Sequence, residues 1–487
     1  MHQLDRRSLL RGGAATAAGL ALAGPFRGLV AQAASGAVRI PGYGPLQPTP
    51  DERGGIVRLD LPAGFKYRSF HVAGETVSGP GGDFVLPGRH DGMAAYAGRN
   101  GRVTLVRNHE MQGNVNVASS EPRLGSAPGY DPLTKGGTVT VDADRFGNAG
   151  PAYVSLSGTA WNCSGAPTAW GTWLSCEETV NGDDVGPDFT NGSNAGLRKH
   201  GYIFEVPSDG VSAAEPLRSA GRFAKEAAAG NMSGSVVYIT EDSFLSESGF
   251  YRYLPPNRPA RDGRIADGGR LQMLAVVGQP NAPLHLGQPA GATYDVEWVD
   301  IDDPDPTFEP GITNNAAIKR VGDEGRSKGA AIFSRLEGLI IDGGRVYFTS
   351  TQGGEPDPTL PLPDGFGDGR GQVWVYLPGR RQLRLVYESP AAATLDLPDN
   401  ITVSERGSLV LCEDGLGDNF LRGLTPAGGL FDFARNADPL QVGQEFAGST
   451  FDPRFRTLYV NIQSGPGTGR LGGYSIAIWG PWSRGPF

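Results

Sequence analysis

One unit is written six times into this chain: a turn-type lead-in, an alternating run of β-branched and aromatic residues, then an abrupt polar or acidic cluster. The copies end at Glu110, Glu178, Asp242, Gln352, Asp414 and Gln463, and they lie about 50–110 residues apart. Between them run partner strands such as Gly201–Val206 and Gly371–Tyr376. Sheet units repeated at that spacing predict an all-β fold, a β-propeller of roughly six blades whose faces pack on one another. Glycine (74) and proline (38) make up nearly a quarter of the 487 residues, about twice the usual share, which excludes a long helical bundle. One short amphipathic helix is expected near Leu217–Ala229. The segments 181–200, 255–330 and 353–370, rich in Gly, Pro and Asp, read as loop insertions over one mouth of the channel.

If the six repeated strands surround the central channel, their polar ends meet there. Glu110, Glu177, Glu178, Glu241, Asp242, Glu413 and Asp414 then crowd together. For any single copy the plain explanation suffices, since turns favour acids. Six copies with acids or amides at equivalent places point instead to a shared site. So many carboxylates ionise at close range only when cations neutralise them. Hard oxygen donors suit Ca²⁺ or ferric iron, and a thiolate from Cys176 or Cys412 would add a softer ligand. Periodicity does not choose between neighbours, because Cys176 and Cys412 each stand beside an acid in the same way. Cys163, in Trp-Asn-Cys-Ser-Gly, reads as a packing residue. Three cysteines cannot all pair, so at least one sulfur stays outside any disulfide. A net charge of −9 without a Lys/Arg block excludes nucleic-acid binding through phosphates.

Residues 1–33 read as an export signal of the twin-arginine type: Arg6-Arg7, an Ala/Gly/Leu-rich run, then Ala31-Gln32-Ala33. The run from Gly12 to about Gly24 is too short and glycine-rich to span a bilayer, so no stable membrane span is expected. Residues 34–54 then form a linker and 55–487 a single propeller domain, with the twin-arginine machinery as partner and a periplasmic or secreted location. That route carries folded proteins, often with a metal already loaded.

The motifs Arg107-Asn-His-Glu110, Trp161-Asn-Cys-Ser-Gly165, Trp170-Gly-Thr-Trp-Leu-Ser-Cys-Glu-Glu178, Tyr238-Ile-Thr-Glu-Asp242, Arg335-Leu-Glu-Gly338, Leu397-Pro-Asp-Asn400 and Cys412-Glu-Asp-Gly415 resemble the PhoX-type alkaline phosphatases, in their shorter branch. The resemblance spans about residues 50 to 483. It implies a propeller that hydrolyses small phosphate monoesters at a cluster of Fe³⁺ and Ca²⁺. It also implies that Cys176 ligates iron, that Glu241 and Glu337 hold metal, and that Arg335 contacts the substrate phosphate. Glu110, Glu177, Glu178, Asp242, Asp399, Asn400, Glu413, Asp414 and Asn461 are further candidate ligands. His109 is a candidate general acid, or a residue that orients its neighbour. The Arg-Leu-Glu-Gly stretch departs from longer members, and Asp452-Pro-Arg-Phe-Arg456 lacks the usual Asp-Gly turn. Two alternatives stay open: a calcium-dependent propeller hydrolase of lactonase type, and a non-catalytic calcium-stabilised binding propeller.

Overall fold

A computed structural model describes residues 38–115, 122–125, 129–256, 264–360, 365–464 and 472–487; the expected export signal lies outside them. Among the described residues six blades of mainly antiparallel strands radiate from one axis. Their innermost strands are His90–Ala97, Asn162–Pro167, Lys225–Gly230, Leu336–Asp342, Pro398–Val403 and Phe446–Phe451. Each packs beside the next, and the last returns to the first, so the ring is closed. The sixth blade is completed by Lys66–Phe70, which pairs with Tyr474–Trp479 and ties the start of the fold to its end.

The six repeated strands of the sequence are not the inner ones. They are the second strand of every blade: Val103–His109, Thr172–Glu177, Val237–Glu241, Arg345–Ser350, Leu409–Glu413 and Thr457–Ile462. Close to the axis small side chains are frequent, so several inner strands carry a weak hydrophobic pattern, as in Asn-Cys-Ser-Gly-Ala-Pro and Lys-Glu-Ala-Ala-Ala-Gly. One strand out, both faces lie against neighbouring blades and the β-branched pattern is strong. The same crowding explains Lys225–Gly230, whose alanines suggest a helix but form the inner strand of the third blade. Only one turn of 3₁₀ helix, Arg218–Ala220, precedes it. Ala227, Ala228 and Ala229 are buried between blades, and that packing overrides helix propensity.

Six apolar clusters hold the blades together, one at each interface. Between the third and fourth, Phe250 stacks on Phe348 with ring centroids 4.4 Å apart, beside Trp374 and Tyr376. Cys176 lies between the second and third blades, and Cys412 between the fifth and sixth. Residues 38–54 do not behave as a linker. Val38–Arg39 and Leu46–Pro50 add to the outer edge of the fifth-blade sheet, and Tyr43 sits among Phe65, Phe433 and Trp482. The 255–330 insertion is also more regular than a loop. Thr293–Ile301 bridges the outer edges of the third and fourth blades, and helices α1 (Asn314–Ala317) and α2 (Arg320–Ser327) follow.

Candidate metal and phosphate site

A register shift interrupts every inner strand near its start, after His90, Asn162, Lys225, Leu336, Pro398 and Ala447. A bulge re-aims the residue it contains. Here it turns Asp91, Cys163, Glu226, Glu337 and Asp399 into one channel, while the sixth blade places Gly448 at the equivalent point. Two of the residues that follow are glycines because neighbouring inner strands nearly touch. A Cβ on Gly92 would stand 2.6 Å from the Ser164 Cα, and one on Gly338 would stand 2.6 Å from the Asp399 carbonyl oxygen.

The second strands add a further set. The residue just past each strand end turns inward, which brings Glu110, Glu178, Asp242 and Asp414 into the same cavity of about 1050 Å³. Glu445, ahead of the sixth inner strand, completes a set of nine carboxylates with Asp91, Glu226, Glu337 and Asp399. Ligating atoms of Asp91, Glu110 and Cys163 lie within 4.8 Å of one another, as do those of Cys163, Glu178 and Glu226, and those of Glu226, Glu337 and Asp399. The sets share Cys163 and Glu226, so they form one chain of donors.

Burial, reinforced by neighbouring carboxylates, pushes Asp91, Glu178, Glu226 and Glu445 well above the usual carboxylate range. Burial also raises Glu110, Glu337 and Asp399, and it pushes Asp414 up to about 7. Two like charges about 5 Å apart repel by about 3 kcal/mol at an effective dielectric of about 20, and each acid here meets several. Asp399 lies within hydrogen-bonding reach of Glu337 and Glu445, contacts that need a shared proton or a cation between them. Protein donors are few. Gln463 Nε2 donates to Asp91 Oδ2 at 2.9 Å, Cys163 Sγ to Glu178 at 2.9 Å, and Asn400 Nδ2 to Asp399 at 2.7 Å. Asp91 Oδ1 is buried without a partner.

Arg335 stands at the edge of this ring. Its backbone occupies the left-handed region (φ 41°), as do Arg89, Trp161 and Leu397 at the equivalent positions of three other blades. The Arg335 Nη2 lies 2.8 Å from Asp242 Oδ2 and 2.7 Å from Glu337 Oε1, and its guanidinium covers the Phe244 ring at 5.0 Å. Burial alone would lower its pKa, but Asp242 and Glu337 outweigh it and hold the group fully charged.

Five candidates fall one residue behind the ring. His109, Glu177, Glu241, Glu413 and Asn461 pair in register with the last residue before each bulge, so their side chains leave the other face of the strand. Glu177 accepts from the amides of Ala160, Gly201 and Tyr202, and lies 2.6 Å from His200 Nδ1. Glu241 accepts from Gly249 N and the Tyr251 hydroxyl, and Glu413 from Asp396 N, Phe420 N and Arg422 Nε. Asn461 donates to the Asp91 carbonyl and accepts from Ser475. His109 is sealed between Gly88 O and Arg107, and burial drives its pKa well below the usual imidazole range, so it presents no acidic proton to the cavity. Asn400 supports Asp399 and accepts from Gly448 N at 2.7 Å. Cys176 is an apolar core residue whose thiol burial raises, and it does not reach the channel. The sulfur in the channel belongs to Cys163.

Asp91, Cys163, Glu226 and Glu445 were not among the expected site residues. The signal for the first three was an acid or cysteine followed by a small or amide residue at the inner-strand start, as in Asp91-Gly, Cys163-Ser, Glu226-Ala, Glu337-Gly and Asp399-Asn; Glu445, followed by Phe446, lies outside that pattern.

A family model described as alkaline phosphatase PhoX matches residues 41–467. The chain belongs to the PhoX alkaline phosphatase family. Membership makes it a phosphoric monoester hydrolase of a metal-dependent family, and sets aside the lactonase-type and non-catalytic alternatives. Among solved structures, Pseudomonas fluorescens PhoX in complex with vanadate, a transition state analogue, aligns with a TM-score of 0.61 at 16% identity. That alignment covers 92% of this chain and 98% of the other, and it supports the propeller fold. A gluconolactonase from Xanthomonas campestris covers the same shares, 92% and 98%, at 14% identity with a TM-score of 0.42. A comparison with curated protein sequences gives no match. Within the PhoX fold, the acidic ring and Arg335 occupy one mouth of the channel, beneath residues 187–189 and 313–319 of the insertions. Among the described residues no helix is long and apolar enough to cross a membrane.

Proposed function

We propose that this PhoX-family chain is exported by the twin-arginine route and hydrolyses phosphate monoesters at an iron and calcium cluster held by the channel ring. The observation that carries the reading is the guanidinium of Arg335, fixed at the edge of nine carboxylates that line the channel. The donor set fits such a cluster. It offers hard carboxylate oxygens and one thiol, it includes the unpartnered Asp91 Oδ1, and its mutual repulsion is relieved by multivalent cations. Asp91, Glu110, Cys163, Glu178, Glu226, Glu337 and Asp399 would hold the metals, with Asp242, Asp414 and Glu445 beside them. Cys163 takes the place first given to Cys176. Bound cations supply charge neutralisation and Lewis acidity toward a phosphate dianion.

The chain's own residues do the positioning. Asp242 grips Arg335 through Nε at 3.1 Å and Nη2 at 2.8 Å, which fixes the plane of the guanidinium. A planar fork held this way can meet two phosphate oxygens at once and follow their charge as the ester bond breaks.

Arg335→Ala tests the reading. Turnover of p-nitrophenyl phosphate should fall by about 30-fold to 1000-fold, equivalent to about 2–4 kcal/mol of transition-state stabilisation, while bound metal stays near wild type. Full turnover in the variant, or loss of its metal, would contradict the assignment. For export, Arg6→Lys with Arg7→Lys should leave unprocessed precursor in the cytoplasm, and normal delivery to the envelope would overturn it.

A further inference from the structure

The mouth of the cavity has two unlike walls. On the side of the first and sixth blades the lining is polar: Arg89, Gln112 and Gln463. On the side of the second and third blades three aromatic rings, Trp161, Phe189 and Phe244, stand among polar insertion residues such as Thr313 and Asn315. Phe189 is 90% exposed, which for a phenyl ring on a water-soluble face calls for a reason.

The ring is held in place. The preceding residue, Asp188, accepts from Asn181 Nδ2 at 2.6 Å, from Thr190 N at 2.8 Å and from Asn191 N at 3.1 Å. That net of bonds fixes the turn, and Phe189 meets Trp161 edge to face with centroids 5.9 Å apart. Trp161 is equally constrained. It has φ 52°, its carbonyl accepts from Glu178 N at 2.9 Å, and it stands at the position that Arg335 occupies on the fourth blade. One wall residue is therefore tied to the backbone of a ring residue, Glu178, and the other stands in solvent.

Resting on the phosphatase reading above, we propose that Phe189 and Trp161 form the leaving-group subsite, which selects phosphate monoesters whose leaving group is flat and apolar. With the phosphate against Arg335 and the ring of acids below, the ester substituent has only the mouth to occupy. The polar wall offers it charge; the aromatic wall offers it face and edge contacts and removes apolar surface from water. An aryl group has this chemistry throughout, and a nucleobase has it on its stacking faces.

The test is steady-state kinetics of the metal-loaded enzyme with phenyl phosphate, a nucleoside 5′-monophosphate and glycerol 2-phosphate, together with calorimetric binding of phenylphosphonate. In Phe189→Ala the KM for ring-bearing substrates should rise about threefold to tenfold, and phenylphosphonate should bind correspondingly more weakly. The KM for glycerol 2-phosphate should move by less than about twofold, and Phe189→Trp should restore the preference. A rise for phenyl phosphate and the nucleotide alike assigns the subsite to any flat ring; a rise for the nucleotide alone assigns it to the base. Equal shifts for all three substrates, or none for any, would overturn the proposal. If the wild type turned over none of them, the phosphatase reading would fail, and phenylphosphonate binding would still decide the subsite.

Discussion

Glu177 and Glu178 are consecutive at the end of one strand, the first fully buried in the blade and the second half-buried on the channel wall, and they live in opposite chemical worlds. Glu177 has three backbone amides and the ring of His200 around its oxygens, and Asp131 lies 3.3 Å from the other side of that ring. Glu178 faces Cys163, Glu226 and further acids. The same contrast recurs at Glu413 and Asp414, whereas beside Glu241 the inward-facing Asp242 is held by Arg335. In the contrasting pairs one member is satisfied by the protein, and the other is left for something the protein binds. A buried carboxylate with complete donors is a structural part, whereas a ring of carboxylates without them is a binding site.

The largest expected effect comes from emptying the ring. Chelation of bound metal should bring activity to background and lower the melting temperature in the same titration, because the acids then repel one another unscreened. Lost activity with an unchanged melting curve would separate the ring from the stability of the fold.

Next in size is the outer member of a pair. Glu177→Gln leaves the buried His200 without its nearest countercharge and should cost about 3–5 kcal/mol of stability, read by denaturant unfolding. The folded fraction should keep its metal.

The two sulfurs give a smaller and cleaner contrast. Cys163→Ser should lower metal content and turnover by about tenfold or more. Cys176→Ser should instead cost about 1–3 kcal/mol by placing a hydroxyl among Leu174, Ile203 and Phe223, with the specific activity of folded protein retained.

How much of this was legible without a structure depends on distance from the axis. The second strands announce themselves, because both faces are buried and Val-Thr-Leu-Val or Leu-Val-Leu-Cys patterns result. They gave the propeller and the right strand ends. They named Glu110 and, at three other ends, both neighbours of each pair (Glu177 with Glu178, Glu241 with Asp242, Glu413 with Asp414), since alternation states that neighbours face opposite ways without stating which way is inward. Arg335, Glu337 and Asp399 were found because the Arg-Leu-Glu-Gly and Leu-Pro-Asp-Asn motifs resemble known ones. Asp91 and Glu226 were missed because short, alanine- and glycine-rich inner strands have no pattern of their own, and their bulges become visible only when the sheets are paired. Cys163 was set aside as a packing residue for the same reason.

The smallest expected effect is a pH dependence belonging to the outer set. Burial alone would lower the His200 pKa, but Glu177 and Asp131 outweigh it and raise it to about 9. A pKa raised in the folded state stabilises fully below the unfolded value, about 6.5, and the contribution fades as pH rises through about 9. The melting temperature should therefore fall between about pH 7 and pH 10. In His200→Gln that alkaline slope should flatten, with metal content unchanged; a slope equal to wild type would show that His200 is not its source.

The most direct measurement is metal content per folded chain in Glu178→Gln beside Glu177→Gln, two variants that differ by one position and share the same chemistry. Glu178→Gln should lose metal and keep most of its stability once loaded with excess ion, whereas Glu177→Gln should keep metal and lose stability. Equal metal loss in the two variants, or loss in Glu177→Gln alone, would contradict a division of these paired acids into an inner binding ring and an outer structural one.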